Sequence, residues 1–256
     1  MAYRVLKSLR PIGLAGLCWL GWLPLMGQRQ VLHSRQEWMQ LNLLFGREDR
    51  TGFRFDASTR HVQDHPGLSQ YLLRGGVTYR LSPGLAAVSG LAAIRYYDDG
   101  SASRLEWRPY QDLSRSLGAG RTRLEHRLRL EPRFLRDLPG GLPGEWTFQF
   151  RMRYRLQAQW TLAEISHGQG GRALLLTLGD EVMVNPVHSR TASFFGTNRM
   201  LVSPTLRWGP RLDMALTYNH QFIARTRPDD FESAEVVWLN ITGRIATDGR
   251  QRKRRG

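Results

Sequence analysis

A closed transmembrane β-barrel, all-β, antiparallel and up-and-down with about twelve strands (10 to 12), is the fold this sequence predicts, on three observations. From Gln36 onward, segment after segment alternates apolar and polar residues with period two, the mark of strands with two unlike faces. Many segments approach or exceed the roughly 9 to 11 residues of a tilted transmembrane strand, against about 5 to 6 for ordinary strands. In the clearest one, Trp146 and Trp160 share a face. At about 3.3 Å per residue and a tilt of about 40° they lie roughly 35 Å apart along the barrel axis, the spacing of two interfacial aromatic girdles.

Taken in order, the chain opens with Arg4, Lys7 and Arg10, followed by the apolar run Ile12 to Met26. This pairing reads as the n-region and h-region of a secretory signal peptide over residues 1–27, too short to span a bilayer as a helix. Cleavage is placed near Gly27, with Leu25 at the minus-three position; an uncleaved anchor is the alternative. Cys18, the only cysteine, lies in this leader and is preceded by Leu17, which does not fit a lipidation site. A cysteine-free mature chain has no disulfide, thiolate metal site or cysteine nucleophile.

Residues 28–247 form the predicted barrel. The eleven alternating segments are 36–46, 51–62, 69–82, 85–98, 103–115, 121–135, 145–161, 171–185, 196–208, 211–225 and 232–246. In the sixth, Leu124, His126, Leu128, Leu130, Pro132 and Phe134 oppose Arg123, Glu125, Arg127, Arg129, Glu131 and Arg133. In the seventh, the face from Trp146 to Trp160 opposes Arg151, Arg153 and Arg155, and in the tenth Leu212 to Phe222 opposes Asp213, Thr217, Asn219 and Gln221. Tight turns near Arg50, Pro83, Gly118 and Gly209 alternate with longer connections at 61–68, 138–144, 186–194 and 225–232, the rhythm of short periplasmic turns and longer external loops. The connection at 162–170 breaks it. Bacterial barrels have even strand numbers, so a short additional strand within Gln28 to Arg35 is expected to bring the count to twelve.

Alternation assigns the charges to the lumen: Arg123, Glu125, Arg127, Arg129, Glu131, Arg133, Arg151, Arg153, Arg155, Glu181 and Arg199. A ladder of ion pairs filling a narrow barrel is the first reading, since the planar guanidinium binds carboxylates in pairs and does not deprotonate; an anion-favouring constriction is the second. Glu181 in the lumen would set Asp180 on the outer face unless a bulge intervenes. A lipid-facing polar residue is costly and hence notable, which singles out His126 and His220, either of which could act as base for a nearby serine. His188 and Ser189 fall in a loop. No metal cluster, phosphate-cradling glycine loop or cofactor motif is present, and Gly75, Gly76, Gly140 and Gly141 read as strand and turn glycines.

The formal net charge is +15, with 37 Lys+Arg against 22 Asp+Glu, which raises nucleic acid as a partner. Removing the three basic residues of the leader leaves +12. The tail 248–256, with five basic residues and Asp248, removes four more and leaves +8. That remainder is interleaved with apolar residues along strands, without the clustered basic face that nucleic-acid binding needs. The tail reads as a disordered periplasmic extension.

The ordered set RTRLEHRLRLEPRF (121–134), FRMRYRLQAQ (150–159), GDEVMVN (179–185), FGTNRMLVSPTLRW (195–208) and RLDMALTYNHQF (211–222) resembles the bacterial outer-membrane barrel family catalogued as domain of unknown function 2490. The resemblance covers nearly all of the mature chain. It implies an outer-membrane β-barrel and no activity. The chain departs from the expected end, since Arg250 to Arg255 follow the last strand in place of an aromatic terminal residue. The resulting expectation is a non-enzymatic, monomeric outer-membrane barrel with an envelope role or a narrow channel, no cofactor, and outer-membrane lipid and the barrel-insertion machinery as partners. The alternatives are an outer-membrane lipid hydrolase using His126 or His220, and a soluble secreted β-barrel that binds a ligand.

Overall fold

The computed structural model describes residues 31–46, 51–63, 68–165, 171–187, 193–225 and 230–245. The predicted leader 1–27, the tail 248–256, and His188 with Ser189 lie outside them. Eleven strands make one closed barrel: β1 (Val31–Gly46), β2 (Thr51–Val62), β3 (Leu68–Ser82), β4 (Leu85–Asp98), β5 (Ser101–Ala119), β6 (Thr122–Asp137), β7 (Trp146–Glu164), β8 (Arg172–Val187), β9 (Phe195–Trp208), β10 (Leu212–Ala224) and β11 (Phe231–Ile245). Among the described residues a single 3-10 turn, Pro139–Gly141, lies between β6 and β7.

Each strand pairs antiparallel with its neighbour in sequence, and β1 closes against β11. In a meander with an odd number of strands the first and last run the same way, so this pair is parallel. Eleven lies inside the expected range. The separate short strand anticipated within Gln28 to Arg35 does not occur among the described residues: Val31 to Arg35 continue directly into β1 and pair with Phe231 to Glu235. No turn residue interrupts them.

At one end, the described connections are the tight turns Pro83–Gly84, Gly120–Arg121 and Gly209–Arg211; at the other, most are longer. Gly84 and Gly209 supply the positive φ these turns require (74° and 67°). The rhythm has two exceptions. Asp99 and Gly100 join β4 to β5 in a two-residue turn at the long-loop end, and the connection between β7 and β8 is long at the tight-turn end.

Pleating sorts the side chains onto two walls. Met39, Leu41, Phe53, Phe55, Leu73, Leu91, Leu113, Leu128, Leu178, Val202, Leu216 and Val237 are exposed on the exterior, a contiguous apolar surface far larger than soluble monomers show. Aromatic side chains gather toward the two ends of this exterior. Trp107, Phe134, Trp146, Phe148, Phe222 and Phe231 lie toward the long-loop end, and Phe45, Phe53, Tyr79, Trp160 and Trp208 toward the tight-turn end. Eleven strands about 4.8 Å apart and tilted about 40° enclose a tube roughly 22 Å across between facing backbones. Inward arginines narrow this bore.

Candidate functional site: the charged lumen

Acidic residues opposite or diagonal to arginines generate the network. Asp56 on β2 faces Arg74 on β3 and binds it at 2.6 Å. On β5, Asp112 faces Arg129 of β6 and takes both of its forked donors, at 2.5 and 2.7 Å. Glu106, six residues earlier on the same strand, accepts from Arg108 at 2.7 Å, from Arg133 at 2.6 and 2.9 Å, and from the Tyr96 hydroxyl at 2.8 Å. Glu131 holds Arg151 at 2.6 Å, Arg153 at 3.2 Å and Arg129 at 3.5 Å. Glu181 holds Arg127 at 2.6 Å, Arg153 at 2.7 Å and Arg199 at 3.3 Å. A continuous chain, Asp112–Arg129–Glu131–Arg153–Glu181–Arg199, therefore crosses β5 to β9, and each member but the ends is shared.

The β6–β7 register shows why the acids must come from elsewhere. Arg127 stands opposite Arg155, and Arg129 opposite Arg153. Like charges directly opposite are destabilising, and here Asp112 from β5 and Glu181 from β8 offset them. Glu125 accepts from Arg155 at 2.9 Å and lies 3.6 Å from Arg123, in a more exposed position near the tight-turn end. All eleven residues assigned from sequence to the lumen project inward. Arg54, Asp56, Arg60, Arg74, Glu106, Arg108 and Asp112 belong to the same wall and were not singled out. A signal for three of them, Arg54, Asp56 and Arg60, was in their alternation with Phe53 and Phe55.

A second element of the lumen is aromatic. Trp38 of β1 is buried, with its ring edge-on to Trp238 of β11 at 5.4 Å across the closing seam. Arg60 lies over the Trp38 ring at 3.7 Å and Arg199 at 5.2 Å. Among the described residues Arg60 has no carboxylate partner, and it donates to Gln70 at 3.4 Å. Tyr110 is packed where Gly76 and Gly90 leave room: a Cβ on Gly90 would meet ring carbons at 2.6 Å, and one on Gly76 the hydroxyl at 2.5 Å. Arg129 stacks on that ring at 4.7 Å, so the two strand glycines seat the ring against which a buried guanidinium is held.

Two cavities occupy the bore. One, of about 470 Å³, is lined by twelve arginines, Glu125, Glu181 and neutral polar groups from β9 to β1. The other, of about 610 Å³, opens toward the long-loop end. Arg60, Gln70 and Tyr96 line both and mark where they meet. The excess of guanidinium over carboxylate in the first cavity gives it a positive interior. Among the described residues the buried Nε atoms of Arg54, Arg127, Arg155 and Arg199 have no hydrogen-bond partner.

The remaining residues singled out from sequence face outward. Trp146 is exposed, with Arg136 over its ring at 5.5 Å, and Trp160 is half-buried near the other end of β7. His126 Nδ1 lies 2.7 Å from the Tyr154 hydroxyl, with no serine bonded to it. His220 Nε2 lies 2.9 Å from Ser233 Oγ. The bulge considered at Asp180 is absent there. Asp180 and Glu181 keep uninterrupted register with Met200 and Arg199, and the register shift falls later, between Met183 and Val184. Asp180 consequently points outward, where Asn198 donates to it at 2.7 Å. No group of three His, Cys, Asp or Glu able to hold a metal occurs among the described residues.

A family model described as "Protein of unknown function (DUF2490)" matches residues 35–232. No curated protein and no solved structure matches the chain.

Proposed function

For a chain that belongs to the family described as protein of unknown function DUF2490, we propose an outer-membrane barrel whose lumen is a narrow, anion-favouring passage. The observation that carries this reading is the opposition of the two walls. The exterior is an apolar surface with aromatic ends, and the interior cavity is lined by twelve arginines, twice the six carboxylates (Asp56, Glu106, Asp112, Glu125, Glu131 and Glu181) that pair with members of this set.

In hydrocarbon every backbone polar group must be paired within the protein, and a closed barrel does this. Rings of basic side chains favour anions over cations in a pore. The ion-pair chain holds the wall, and Arg60, which has no carboxylate partner among the described residues, lies on its Trp38 platform where the two cavities meet. An anion entering at the long-loop end passes through the outer cavity, meets this guanidinium where the two cavities join, and then reaches the cluster around Glu181. The tight-turn end faces the periplasm. On this reading the protein acts as a monomer, with outer-membrane lipid around it.

The test is single-channel recording in planar bilayers under a potassium chloride gradient. Discrete steps with a reversal potential on the chloride side are expected. Absence of steps, or cation preference, overturns the passage. Recovery of the protein with soluble periplasmic contents, without a heat-modifiable gel shift, overturns the membrane location.

A further inference from the structure

We propose that the exterior wall of β10 and β11 carries a serine esterase site for long-chain acyl esters, with Ser233 as nucleophile and His220 as its base. It rests on the exterior being in a bilayer and is independent of conduction through the lumen.

Three observations meet at this place. His220 Nε2 and Ser233 Oγ are 2.9 Å apart, the hydrogen bond an activated hydroxyl needs. Glu235 stands directly opposite His220 on the same outward face and pairs with Arg35 at 3.6 Å. Polar side chains facing lipid are costly and mark function when they occur together.

The height on the wall fits the chemistry. Toward the tight-turn end the same face continues as Tyr218, Leu216 and Val237, all exposed. Toward the long-loop end, Phe222 and Phe231 stack at 4.7 Å. The pair thus lies at the boundary between an apolar wall and the strand ends, the depth at which the ester groups of a lipid sit between headgroup and hydrocarbon. An acyl chain can lie along the wall while its ester carbonyl reaches Ser233.

In the first step Ser233 Oγ bonds to the carbonyl carbon as its proton passes to His220 Nε2. The alkoxy C–O bond then breaks, and the leaving alcohol takes the proton from His220. Water, losing a proton to His220, attacks the acyl-serine; the fatty acid departs and Ser233 regains its hydrogen. Glu235 acts through the ring, as the carboxylate that steadies the imidazolium formed in each step. His126 has no such arrangement, its partner being a tyrosine hydroxyl.

The experiment uses the full-length chain folded in detergent micelles, its folding verified by the heat-modifiable gel shift. A fluorophosphonate probe is applied and the labelled peptide identified by mass spectrometry; 4-nitrophenyl palmitate hydrolysis is followed in parallel. Labelling on Ser233 is expected, with hydrolysis falling at least about a hundredfold in Ser233→Ala and His220→Ala. Glu235→Gln lowers kcat at unchanged KM, whereas Arg35→Gln, which removes only the ion pair, leaves kcat within about twofold. Folded wild-type protein that takes no label, or whose hydrolysis matches Ser233→Ala, overturns the assignment. The wild-type labelling decides the matter even if a variant does not fold, and the conductance experiment fails or succeeds separately.

Discussion

Glu181→Gln is the most informative single substitution in the lumen. The side chain is 2% exposed and accepts from three guanidinium groups, at 2.6, 2.7 and 3.3 Å. Arg153 retains Glu131 at 3.2 Å and Arg199 retains Gln221 at 3.0 Å, but Arg127 loses the one carboxylate it has among the described residues. Removing one partner of a buried ion pair leaves uncompensated charge and costs about 3 to 5 kcal/mol. At about 1.4 kcal/mol per decade this is a loss of roughly two to three and a half orders of magnitude in the folding equilibrium. Glu125→Gln is the internal control. Its carboxylate also faces two arginines, at 2.9 and 3.6 Å, but is 26% exposed, and exposed pairs contribute about 1 kcal/mol or less. Urea unfolding in lipid vesicles, read by the gel shift, compares the two. Equal midpoints for the two variants, or a Glu181→Gln midpoint equal to wild type, would refute the view that burial makes the Glu181 cluster a structural centre.

Three further substitutions probe separate parts of the structure. Gly90→Val places a Cβ within 2.6 Å of the Tyr110 ring; overpacking of about 1 to 3 kcal/mol is expected, seen as a lowered urea midpoint. Leu216→Arg introduces charge on the exposed apolar wall midway along β10. In a bilayer this costs about 2 to 4 kcal/mol, whereas on a water-facing surface it stays within about 0.5 kcal/mol, so unfolding in vesicles separates a membrane barrel from a soluble one. Arg60→Glu, where the two cavities meet, is expected to reduce or reverse anion preference in planar bilayers; an unchanged reversal potential would remove Arg60 from the conduction path.

Strand existence and extent were legible because the two walls differ so sharply in polarity. Segments 85–98 and 51–62 coincide with β4 and β2, and 196–208 misses only the first residue of β9. The start of β1 was hidden for a physical reason. Between Val31 and Arg35 the two walls carry the same mix, with Val31 and Leu32 both apolar and the outward His33 and Arg35 polar like the inward Ser34, so period-two contrast vanishes at the strand end. Pairing was less legible than pattern. The two strands richest in alternating charge, β6 and β7, set Arg opposite Arg at two levels. Glu125 and Glu131 of β6 offset part of this charge, but Asp112 and Glu181 come from β5 and β8, a fact of register that no local window contains. His220 and Ser233 are thirteen residues apart and meet only through the β10–β11 ladder.

The odd strand count rests on a single pairing, and that pairing is open to direct test. Parallel ladders are slightly less stable per residue than antiparallel ones, yet β1 and β11 hold one register from Val31↔Phe231 to Phe45↔Ile245 without a bulge. Side chains tie the seam along its length. Ser34 donates to Glu232 at 2.6 Å, Trp38 packs on Trp238, and Asn42 donates to Thr242 at 3.3 Å. Met39 and Leu239 are register partners on the exterior. Adjacent strands lie about 4.8 Å apart, inside the Cα range of a disulfide, about 4.4 to 6.8 Å. A twelfth strand between them would separate these positions by about 9.6 Å, beyond any disulfide without backbone movement. Met39→Cys with Leu239→Cys, in a Cys18→Ser background, is therefore expected to crosslink on mild oxidation of the folded barrel, and the product to run as a reducible band after heating. A folded double variant whose thiols stay free would show that another strand intervenes and that the closure is antiparallel.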